Sequence, residues 1–577
     1  MVDYLLPRGG GVGSTVQVEF HGSFLEKPKE IVFSRQGITA SEFTPFGNAF
    51  KVKFQIAKDC PLGEHVLRVR TATGLSDAVT FWVSPFPTVY EFEDKVGQND
   101  SIEKAKAVPL NSTVEGQILP GPDADIDMYR VEVKEGQRIS VEVEAARLGT
   151  LHQGGDSDLA VRILDAAGKE IGRNDDSALY VQDPVLSIVA PKAGSYFIEI
   201  KQQIYVPPRQ AYYRAHIGTF SRPTAIYPAG GKAGAILSAR VLGDPAGERT
   251  VDIPLPAKSG NFEYFGEAPS ANLLRVSKYH NALWEDAQGK TLQCPVALNG
   301  ILAKAGDSHQ YRLAMKKGEN WKVQVFARSL GAPVDPRIWI RAANGNKNLL
   351  EADDARLVDL GQPSARGTWY VKEQQDPLAV FKVPADGEYL IGVEDATSAG
   401  GPDHVYRVEI EPVRDTVYTH ITMSDGYQMP RLTGMIVPQG NRWTMDVQLA
   451  QGIGNNYKGE IELEAVGLPR GVTMIAPRVP KGATKVPVQF VAATDTPPQS
   501  AQVEILARPV EAGAKFESGS RQGFALINRG GELPWHIVFL DHYALAVTEP
   551  APFRVTLTAP PIPLMRGSEL MLKATIE

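Results

Sequence analysis

The most regular feature of the chain is the alternation of apolar and polar residues over short runs. It is clear in YRVEVK (129–134), YFIEIK (196–201) and WKVQVFA (321–327). A period of two is typical of a strand with one buried face. The 3.6-residue period of a helix is almost absent, and SIEKAKAV (101–108) is the best candidate for a short helix. The pattern predicts an all-β protein of several serial antiparallel β-sandwiches, Ig-like and jelly-roll-like.

Internal repeats divide the chain into units. DIDMYRVEVKEGQRISVEVEAARLG (125–149) returns in altered form as AGDSHQYRLAMKKGENWKVQVFARSLG (305–331), and each copy continues with an Asp-Pro pair and a Tyr-Arg strand. A weaker pair precedes them, LPRGGGVGSTVQVEFHGS (6–23) and YPAGGKAGAILSARVLGD (227–244). The order is therefore A–B–A′–B′, followed by a C-terminal segment.

The repeats set the expected domain boundaries in this chain of 577 residues, which exceeds the size that one hydrophobic core usually supports. The A-type sandwiches are expected at 1–86 and 221–296, and the B-type sandwiches at 87–220 and 297–414. We expect one Ig-like sandwich at 415–510 and the truncated start of another at 511–577.

Composition and charge narrow the choice of partners. The chain is 43% hydrophobic and 22% charged, with a net charge of −7. A mildly acidic chain does not favour nucleic acid or an anionic membrane, because both need concentrated Lys and Arg. No run of apolar residues reaches the length of a membrane span. The two cysteines, Cys60 and Cys294, form no metal spacing or disulfide framework.

Four motifs of the first B unit occur in a characteristic order: DIDMYRVEVKEGQ, SDLAVRILDAAGKEI, NDDS and AGSYFIEI. In this order they resemble the bacterial pre-peptidase C-terminal (PPC) domain, and the second B unit resembles it more loosely. CPLGEHVLRVRTATGLSDAVTFWV (60–83) resembles a TIG/IPT-like Ig sandwich. The whole arrangement resembles large secreted proteins of planctomycete-type bacteria. The resemblance implies a secreted or cell-surface protein whose signal segment lies outside this sequence.

The resemblance also implies a calcium site. Collagen-binding relatives of the PPC domain hold calcium with an acidic run and with aspartates before the first tyrosine strand. YEFEDKVGQNDS (90–101) and DADIDMY (123–129) supply such residues here, with a longer spacing between the glutamates and the Asn-Asp pair. The candidate ligands are Glu91, Glu93, Asn99, Asp100, Asp125 and Asp127. A solvated acidic linker is the alternative interpretation.

The second B unit serves as an internal control for this site. Before its tyrosine strand it keeps only Asp307, and His309 stands where the first copy has Asp127. We therefore expect calcium in the first copy and not in the second. The dense aspartates of the stretch 154–180 are instead typical of turns, for example Asp165 with Gly168.

Catalytic signals are poor, since the sequence holds no GxSxG, HExxH or P-loop motif. We expect a non-catalytic array that binds or spaces, with the B units recognising an extracellular protein or polysaccharide. The alternatives are an accessory region of an extracellular protease or other hydrolase, and a purely structural part of a surface complex. Candidate contact aromatics are Tyr205, Tyr212, Trp284, Trp339, Trp369 and Tyr370, and the loop 201–213 is a candidate contact surface.

Overall fold

The structure is a computed structural model of the chain. It describes all residues except 94, 121–124, 149–156, 181, 204–210, 357–371, 422, 425–429, 432–433, 528–535, 554, 559, 564–565 and 568. Strands dominate the described ranges, where the α-helix is limited to Trp284–Ala287. The predicted all-β class is confirmed. No helix in these ranges has the length and apolar character needed to cross a membrane.

Domain 1 (residues 1–86) is a sandwich of two four-stranded sheets. Along one strand, Val16, Val18 and Phe20 are buried while Thr15 and Gln17 are exposed, as the alternation predicts. One sheet has the strand order Val2–Leu6, Thr15–Gly22, Ala49–Ile56 and Ile38–Phe46, and the other has the order Gly9–Gly11, Val79–Ser84, Gly63–Thr71 and Pro28–Phe33.

Domain 2 (residues 87–220) is a sandwich of two five-stranded sheets with a Val- and Ile-rich core between them. The first sheet has the order Lys106–Ala107, Ile126–Val133, Gly194–Gln202, Leu159–Leu164 and Glu170–Asn174. The second has the order Val185–Val189, Arg138–Glu144, Ala211–Gly218, Ser112–Ile118 and Thr88–Glu91. Two 3₁₀ turns, Ile102–Lys104 and Ala146–Leu148, connect strands.

Domain 3 is smaller, with two three-stranded sheets between residues 225 and 277. The first sheet has the order Ala225–Tyr227, Ile236–Leu242 and Arg249–Pro254, and the second has the order Gly230–Lys232, Asn272–Ser277 and Gly260–Tyr264. Its core is correspondingly small and is built around Leu274 and Val276.

Domain 4 repeats the strand order of domain 2 and begins earlier than the sequence predicted. One sheet has the strand order Asn281–Leu283, Val296–Ile301, Val405–Pro412, Asn320–Phe326 and Leu378–Lys382. The other has the order Thr291–Gln293, Ser308–Met315, Gly387–Asp395, Pro336–Ala342 and Asn348–Ala352. The helix Trp284–Ala287 and the 3₁₀ turns Arg328–Leu330 and Lys372–Gln375 complete it. Because strands 281–283 and 291–293 pair within these sheets, the boundary expected after residue 296 moves to about residue 280.

Domain 5 extends past the boundary expected after residue 510. Strand 517–520 pairs with strand 416–421, and strand 543–548 pairs with strands 435–438 and 499–509. One sheet has the strand order Val472–Ile475, Lys485–Ala492, Arg442–Gln451, Thr416–Ile421 and Glu517–Ser520. The other has the order Met435–Pro438, Tyr543–Thr548, Gln499–Pro509 and Ile461–Val466. Three two-stranded pairs accompany them: Met423–Ser424 with Pro430–Arg431, Gln522–Ile527 with His536–Leu540, and Val555–Thr558 with Lys573–Ile576.

Buried charged groups link domains 1 and 2. The strand 211–218 buries Tyr213 and Ala215 in the core of domain 2, while Arg214, on its other face, is also 0% exposed. Arg214 pairs with Glu115 and Glu144. Glu115 also accepts the backbone N–H of Arg8 from domain 1, at 2.8 Å. These contacts fix domain 1 on the outer face of domain 2.

Candidate metal centre

The leading segment of domain 2 (residues 88–107) crosses the edge of the sandwich from one sheet to the other. Thr88–Glu91 pairs in parallel with Ser112–Ile118 in one sheet. Lys106–Ala107 pairs in parallel with Ile126–Val133 in the other. The turns between these two short strands therefore lie beside the start of strand 126–133, where Asp125 and Asp127 are found.

Three carboxylates meet at this crossing, and we name them the acidic cluster: Glu93, Asp100 and Asp125. Each offers an oxygen, and these oxygens lie within 4.8 Å of one another. Glu93 and Asp125 are only 8% and 3% exposed. Both oxygens of Glu93 and one oxygen each of Asp100 and Asp125 are buried and find no well-placed hydrogen-bond donor among the described residues. Carboxylate oxygens that are buried without donors create a demand for positive charge.

The electrostatics of the acidic cluster are those of like charges in a poorly hydrated site. Burial raises the pKa of Glu93, and the neighbouring charges of Asp125 and Asp100 raise it further, against the opposing effects of the nearby Gln98 backbone N–H and of Lys106. Burial and Asp100 also raise the pKa of Asp125, against the effect of the Leu119 N–H that donates to Asp125 Oδ2 at 2.5 Å. That hydrogen bond fixes the orientation of the carboxylate and leaves Asp125 Oδ1 facing the cluster.

Asn99 and Asp127 lie behind the acidic cluster. Asn99 is 0% exposed, and its side chain lies near enough to Asp127 to lower the pKa of that carboxyl. Burial nevertheless dominates and raises the pKa of Asp127 to about 8. The hydroxyl of Tyr213 donates to Asp127 and accepts a hydrogen bond from Tyr129, so a tyrosine pair supports the site from the core. No motif or spacing in the sequence predicts this support by tyrosines.

Glu91 points away from the acidic cluster. It is the last residue of strand 88–91, and its carboxylate accepts a hydrogen bond from the ammonium group of Lys106. Its charge is therefore satisfied within the protein. The structure brings together Glu93, Asp100 and Asp125, places Asn99 and Asp127 directly behind them, and leaves Glu91 out. Asp123, in the same acidic run, lies outside the described residues.

The donor set of the acidic cluster suits a hard divalent cation. Ca²⁺ prefers oxygen ligands from carboxylates, amides and backbone carbonyls, at a coordination number of six to eight. Three carboxylates supply up to three negative charges, and the Asn99 amide oxygen is a further oxygen ligand of the kind Ca²⁺ takes. The absence of His and Cys from the cluster disfavours Zn²⁺. The buried carboxylate oxygens that lack donors thus fit calcium.

The corresponding position of domain 4 has a different chemistry. Trp284 stacks on His309 with ring centroids 4.1 Å apart, and His309 hydrogen-bonds to Tyr406 at 2.7 Å. Burial lowers the pKa of His309 to about 4, so the ring is neutral at physiological pH. Asp307 is half-buried and accepts the N–H of Lys304. An aromatic stack therefore fills the space that carboxylates line in domain 2.

Both B units have a glycine directly opposite a buried tyrosine on the neighbouring strand: Gly116 opposite Tyr213 in domain 2, and Gly300 opposite Tyr406 in domain 4. A glycine is needed because the tyrosine ring occupies the space of a Cβ atom. A Cβ atom on Gly116 would lie 2.5 Å from the Tyr213 hydroxyl oxygen. A Cβ on Gly300 would overlap Tyr406 in the same way. The shared glycine and tyrosine show that the two sandwiches have the same scaffold here, so the difference in side chains is local.

A second trio of carboxylates occurs in domain 4: Asp335, Asp353 and Asp354. Asp353 and Asp354 are exposed and Asp335 is half-buried. Water and counterions screen exposed charges, so this trio does not require a cation.

The remaining aspartates of the B units act in turns. Asp165 accepts the N–H groups of Ala167 and Lys169 in a hairpin turn. The aspartates of the two Asp-Pro pairs each bind the backbone of a neighbouring turn. Asp183 accepts three N–H groups of the turn at 145–147, and Asp376 accepts those of Ala327–Ser329. The prediction of turn chemistry is confirmed for Asp165. Asp156 lies outside the described residues.

The candidate contact aromatics have separate environments. Trp339 is 6% exposed and Trp284 belongs to the stack with His309, so neither is a free contact surface. Tyr212 is half-buried beside Tyr4 of domain 1. Tyr205, Trp369, Tyr370 and most of the loop 201–213 lie outside the described residues.

Comparison with known families supports the resemblance of the first B unit. The family model described as the bacterial pre-peptidase C-terminal domain matches residues 125–202. Residues 125–202 are therefore similar to the PPC domain. The match begins at Asp125, the cluster residue next to the first tyrosine strand. Membership of domain 4 in this family stays a prediction, although its strand order is the same.

Known proteins similar to the chain include a probable subtilase-type serine protease of Deinococcus radiodurans, with 30% identity over 107 residues. That match covers 18% of this chain and 14% of the protease. A solved PPC domain of Bacillus anthracis collagenase has 16% identity and a TM-score of 0.16, and covers 21% of this chain and 99% of its own. Trypsin-activated alpha-2-macroglobulin of Escherichia coli has 8% identity and a TM-score of 0.15, covering 96% of this chain and 49% of its own.

Proposed function

We propose that the chain is a non-catalytic, multi-sandwich accessory module of a secreted or cell-surface protein, and that its PPC domain binds one calcium ion. The acidic cluster carries the calcium assignment, because its buried carboxylate oxygens lack donors. The ligands are Glu93, Asp100 and Asp125, with the Asn99 amide as a further oxygen donor. Asp127 supports the site from behind.

The bound cation stabilises the domain by linking its leading segment to its sheet. Glu93 and Asp100 belong to the leading segment, and Asp125 directly precedes strand 126–133. Without a cation these charges repel one another across the crossing. A bound cation attracts all three carboxylates and so holds the leading segment against the start of strand 126–133. Domain 4 achieves the same closure without an ion, through Trp284 and His309.

The experiment is a thermal melt of the whole chain in CaCl₂ and in EDTA. A ligand that binds only the folded state at one hundred times its Kd stabilises it by about 2.7 kcal/mol. We expect calcium to raise the melting temperature of the unmodified chain and of Asp307→Asn, the matched control in domain 4. Asp125→Asn keeps an oxygen to accept the Leu119 N–H and loses one charge, so its response should be largely lost. If the unmodified chain melts at the same temperature in both buffers, the proposal that the acidic cluster binds calcium is wrong.

A second candidate function rests on the protease relative. Its similarity to this chain favours the reading that the chain is the accessory region of an extracellular protease. The chain spans only 14% of that relative, so catalysis would belong to another part of the protein. The test is incubation of the purified chain with labelled casein and with a fluorophosphonate serine probe. Proteolysis or labelling would contradict the non-catalytic assignment.

A further inference from the structure

Domain 5 packs against an edge strand of domain 1. Strand Pro28–Phe33 lies at the end of its sheet and pairs there with strand Gly63–Thr71. The side-chain amide of Gln502 in domain 5 donates to the carbonyl of Phe33 at 3.0 Å. An open strand edge is a template on which another chain can pair. Domain 5 covers part of this edge and satisfies one of its backbone acceptors.

A backbone hydrogen bond and an ion pair also join domains 1 and 5. The N–H of Glu549 donates to the carbonyl of Ala72 at 2.8 Å, directly after strand 63–71. The carboxylate of Glu549 lies 3.6 Å from the ammonium group of Lys29. Because Glu549 directly follows strand 543–548, the end of that strand anchors domain 5 on domain 1.

These polar contacts remain accessible to water. The side chains of Lys29 and Glu549 are 45% and 47% exposed while they are paired, and an exposed ion pair stabilises little. Ser500 donates to Glu30 at 2.7 Å, but Glu30 is also paired with Arg70 of its own domain at 2.7 Å. The Glu30 carboxylate therefore keeps a charged partner when the domains separate. Hydrogen bonds to water replace the other polar contacts at low cost.

The apolar contacts between domains 1 and 5 involve small groups of side chains. Leu540 packs against the buried Val66 and Ala78 of domain 1. Leu75 of domain 1 approaches Gly434 so closely that a Cβ atom on this glycine would lie 2.1 Å from the leucine. These contacts orient domain 5 on domain 1 without forming an extended core between them.

Domain 5 also reaches domains 2 and 3. Strand Gln522–Ile527 lies beside the turn Ala146–Leu148 of domain 2. Asp541 pairs with Lys258 of domain 3 at 3.7 Å, and both side chains of that pair are exposed. Release of domain 5 from domain 1 therefore separates these contacts as well.

The other domains are joined by buried groups. The side chain of Asp244 in domain 3 is 1% exposed and lies 3.0 Å from Arg138 of domain 2. The side chain of Glu409 in domain 4 is 2% exposed and lies 3.4 Å from Arg275 of domain 3. Domains 3 and 4 also share a hydrophobic cluster, which contains Ala225, Tyr227, Ala229, Leu242, Phe326, Leu330 and Val405. Water is excluded from these interfaces, and with the contacts of Arg8 they join domains 1–4 into one body.

We infer that domain 5 is a releasable cap: it closes on the outer edge of domain 1 and turns away from it while domains 1–4 stay together. Interfaces between domains that are neither large nor hydrophobic permit relative motion. Residues 413–415 connect strand 405–412 to strand 416–421 and are the point about which domain 5 turns. Salt screens the pair of Lys29 and Glu549 and so favours the open state. The inference goes beyond the proposed function and does not depend on calcium.

The experiment is hydrogen exchange of the whole chain, measured at the Glu549 amide. The acceptor of this amide belongs to domain 1, so its protection reports the closed cap. Pro550 and Pro552 carry no amide hydrogen, so few other amides share its peptide. We expect the protection factor to fall roughly threefold when NaCl is raised from about 0.05 M to about 0.5 M. Strands 442–451 and 211–218, within domains 5 and 2, should keep their protection.

A charge reversal and its rescue test the ion pair of the cap. Lys29→Glu places two carboxylates together and should lower the protection factor of the Glu549 amide roughly fivefold. The double variant Lys29→Glu with Glu549→Lys restores an opposite pair and should restore the protection. Lys53→Glu, the matched control, breaks an exposed pair with Glu42 inside domain 1 and should leave the protection unchanged.

Three results would overturn the inference. An unprotected Glu549 amide in the unmodified chain would show that domain 5 does not close on domain 1. Protection that responds to neither salt nor Lys29→Glu, or that the double variant fails to restore, would show that the contact is not a releasable one held by this pair. Loss of protection in strand 442–451 or strand 211–218 along with that of Glu549 would show unfolding instead of release.

Discussion

Replacement of Arg214 with methionine tests the charged junction between domains 1 and 2. Arg214 is 0% exposed, its Nε lies 3.1 Å from Glu115, and its Nη1 lies 2.5 Å from Glu144. Methionine preserves an unbranched apolar stem and removes the charge, so the result reports electrostatics more than cavity formation. Removal of one partner from a buried pair costs about 3–5 kcal/mol, because the other charge remains buried without compensation.

The pH dependence provides an independent check on this cost. Burial would raise the pKa of Glu144, but the charges of Arg214 and His216 outweigh it and lower the pKa to about 2. A lowered pKa in the folded state contributes stability that is present above the unfolded value, about 4.5, and is lost as the pH falls towards 2. The gap between the unmodified chain and Arg214→Met should therefore be wide at pH 7 and narrower at pH 3.

Peptide-resolved hydrogen exchange is the suitable assay, because a five-domain chain does not unfold in one step. We expect the strand 211–218 to lose about 3–5 kcal/mol of protection in Arg214→Met. Arg130→Met removes an exposed, 3.9 Å pair with Glu132 in the same domain and should cost at most about 0.5 kcal/mol. Equal and small losses in both variants would refute the argument that burial makes the junction pair essential.

Two further predictions concern domain 4. Asp376→Ala removes the acceptor of three backbone N–H groups at 327–329, which are left buried or half-buried. Hydrogen-exchange protection of this turn should fall by about 2–4 kcal/mol; a loss below about 1 kcal/mol would show that water replaces the carboxylate. His309 is neutral in the folded state with a pKa of about 4, so the unfolded chain takes up its proton first as the pH falls. The contribution of neutral His309 to the free energy of unfolding is complete above about pH 6.5 and falls between pH 6.5 and 4. It amounts to at most about 3 kcal/mol. The melting temperature of His309→Phe should fall less over that range; parallel curves would exclude this titration.

Much of the fold could be predicted because strand alternation is a local signal and the internal repeat can be found by comparing the sequence with itself. The buried faces of strands such as Thr15–Gly22 follow the apolar positions directly. Arg214 shows the limit of this logic: its position in AYYRAHI predicts a solvent-facing side chain, and it is buried because domain 1 covers that face. Coverage by another domain leaves no periodic trace in a single strand.

The candidate site was predictable in composition but not in detail. DIDMY and the Asn-Asp pair indicated the edge of the sandwich at which the acidic cluster lies. Glu91 and Glu93 are equivalent by alternation, but strand 88–91 ends at Glu91. Glu93 lies beyond the strand, so parity no longer determines the direction of its side chain. Domain 4's leading segment, 281–293, escaped recognition because its two strands contain only three residues each.

Isothermal titration of the whole chain with CaCl₂ measures directly whether the acidic cluster binds calcium and with what stoichiometry. It should be performed on the unmodified chain, Asp125→Asn and Asp307→Asn. We expect one calcium ion per chain, lost in Asp125→Asn and retained in Asp307→Asn. No binding, two equivalent ions, or a site that survives Asp125→Asn would contradict the assignment of calcium to the acidic cluster of domain 2.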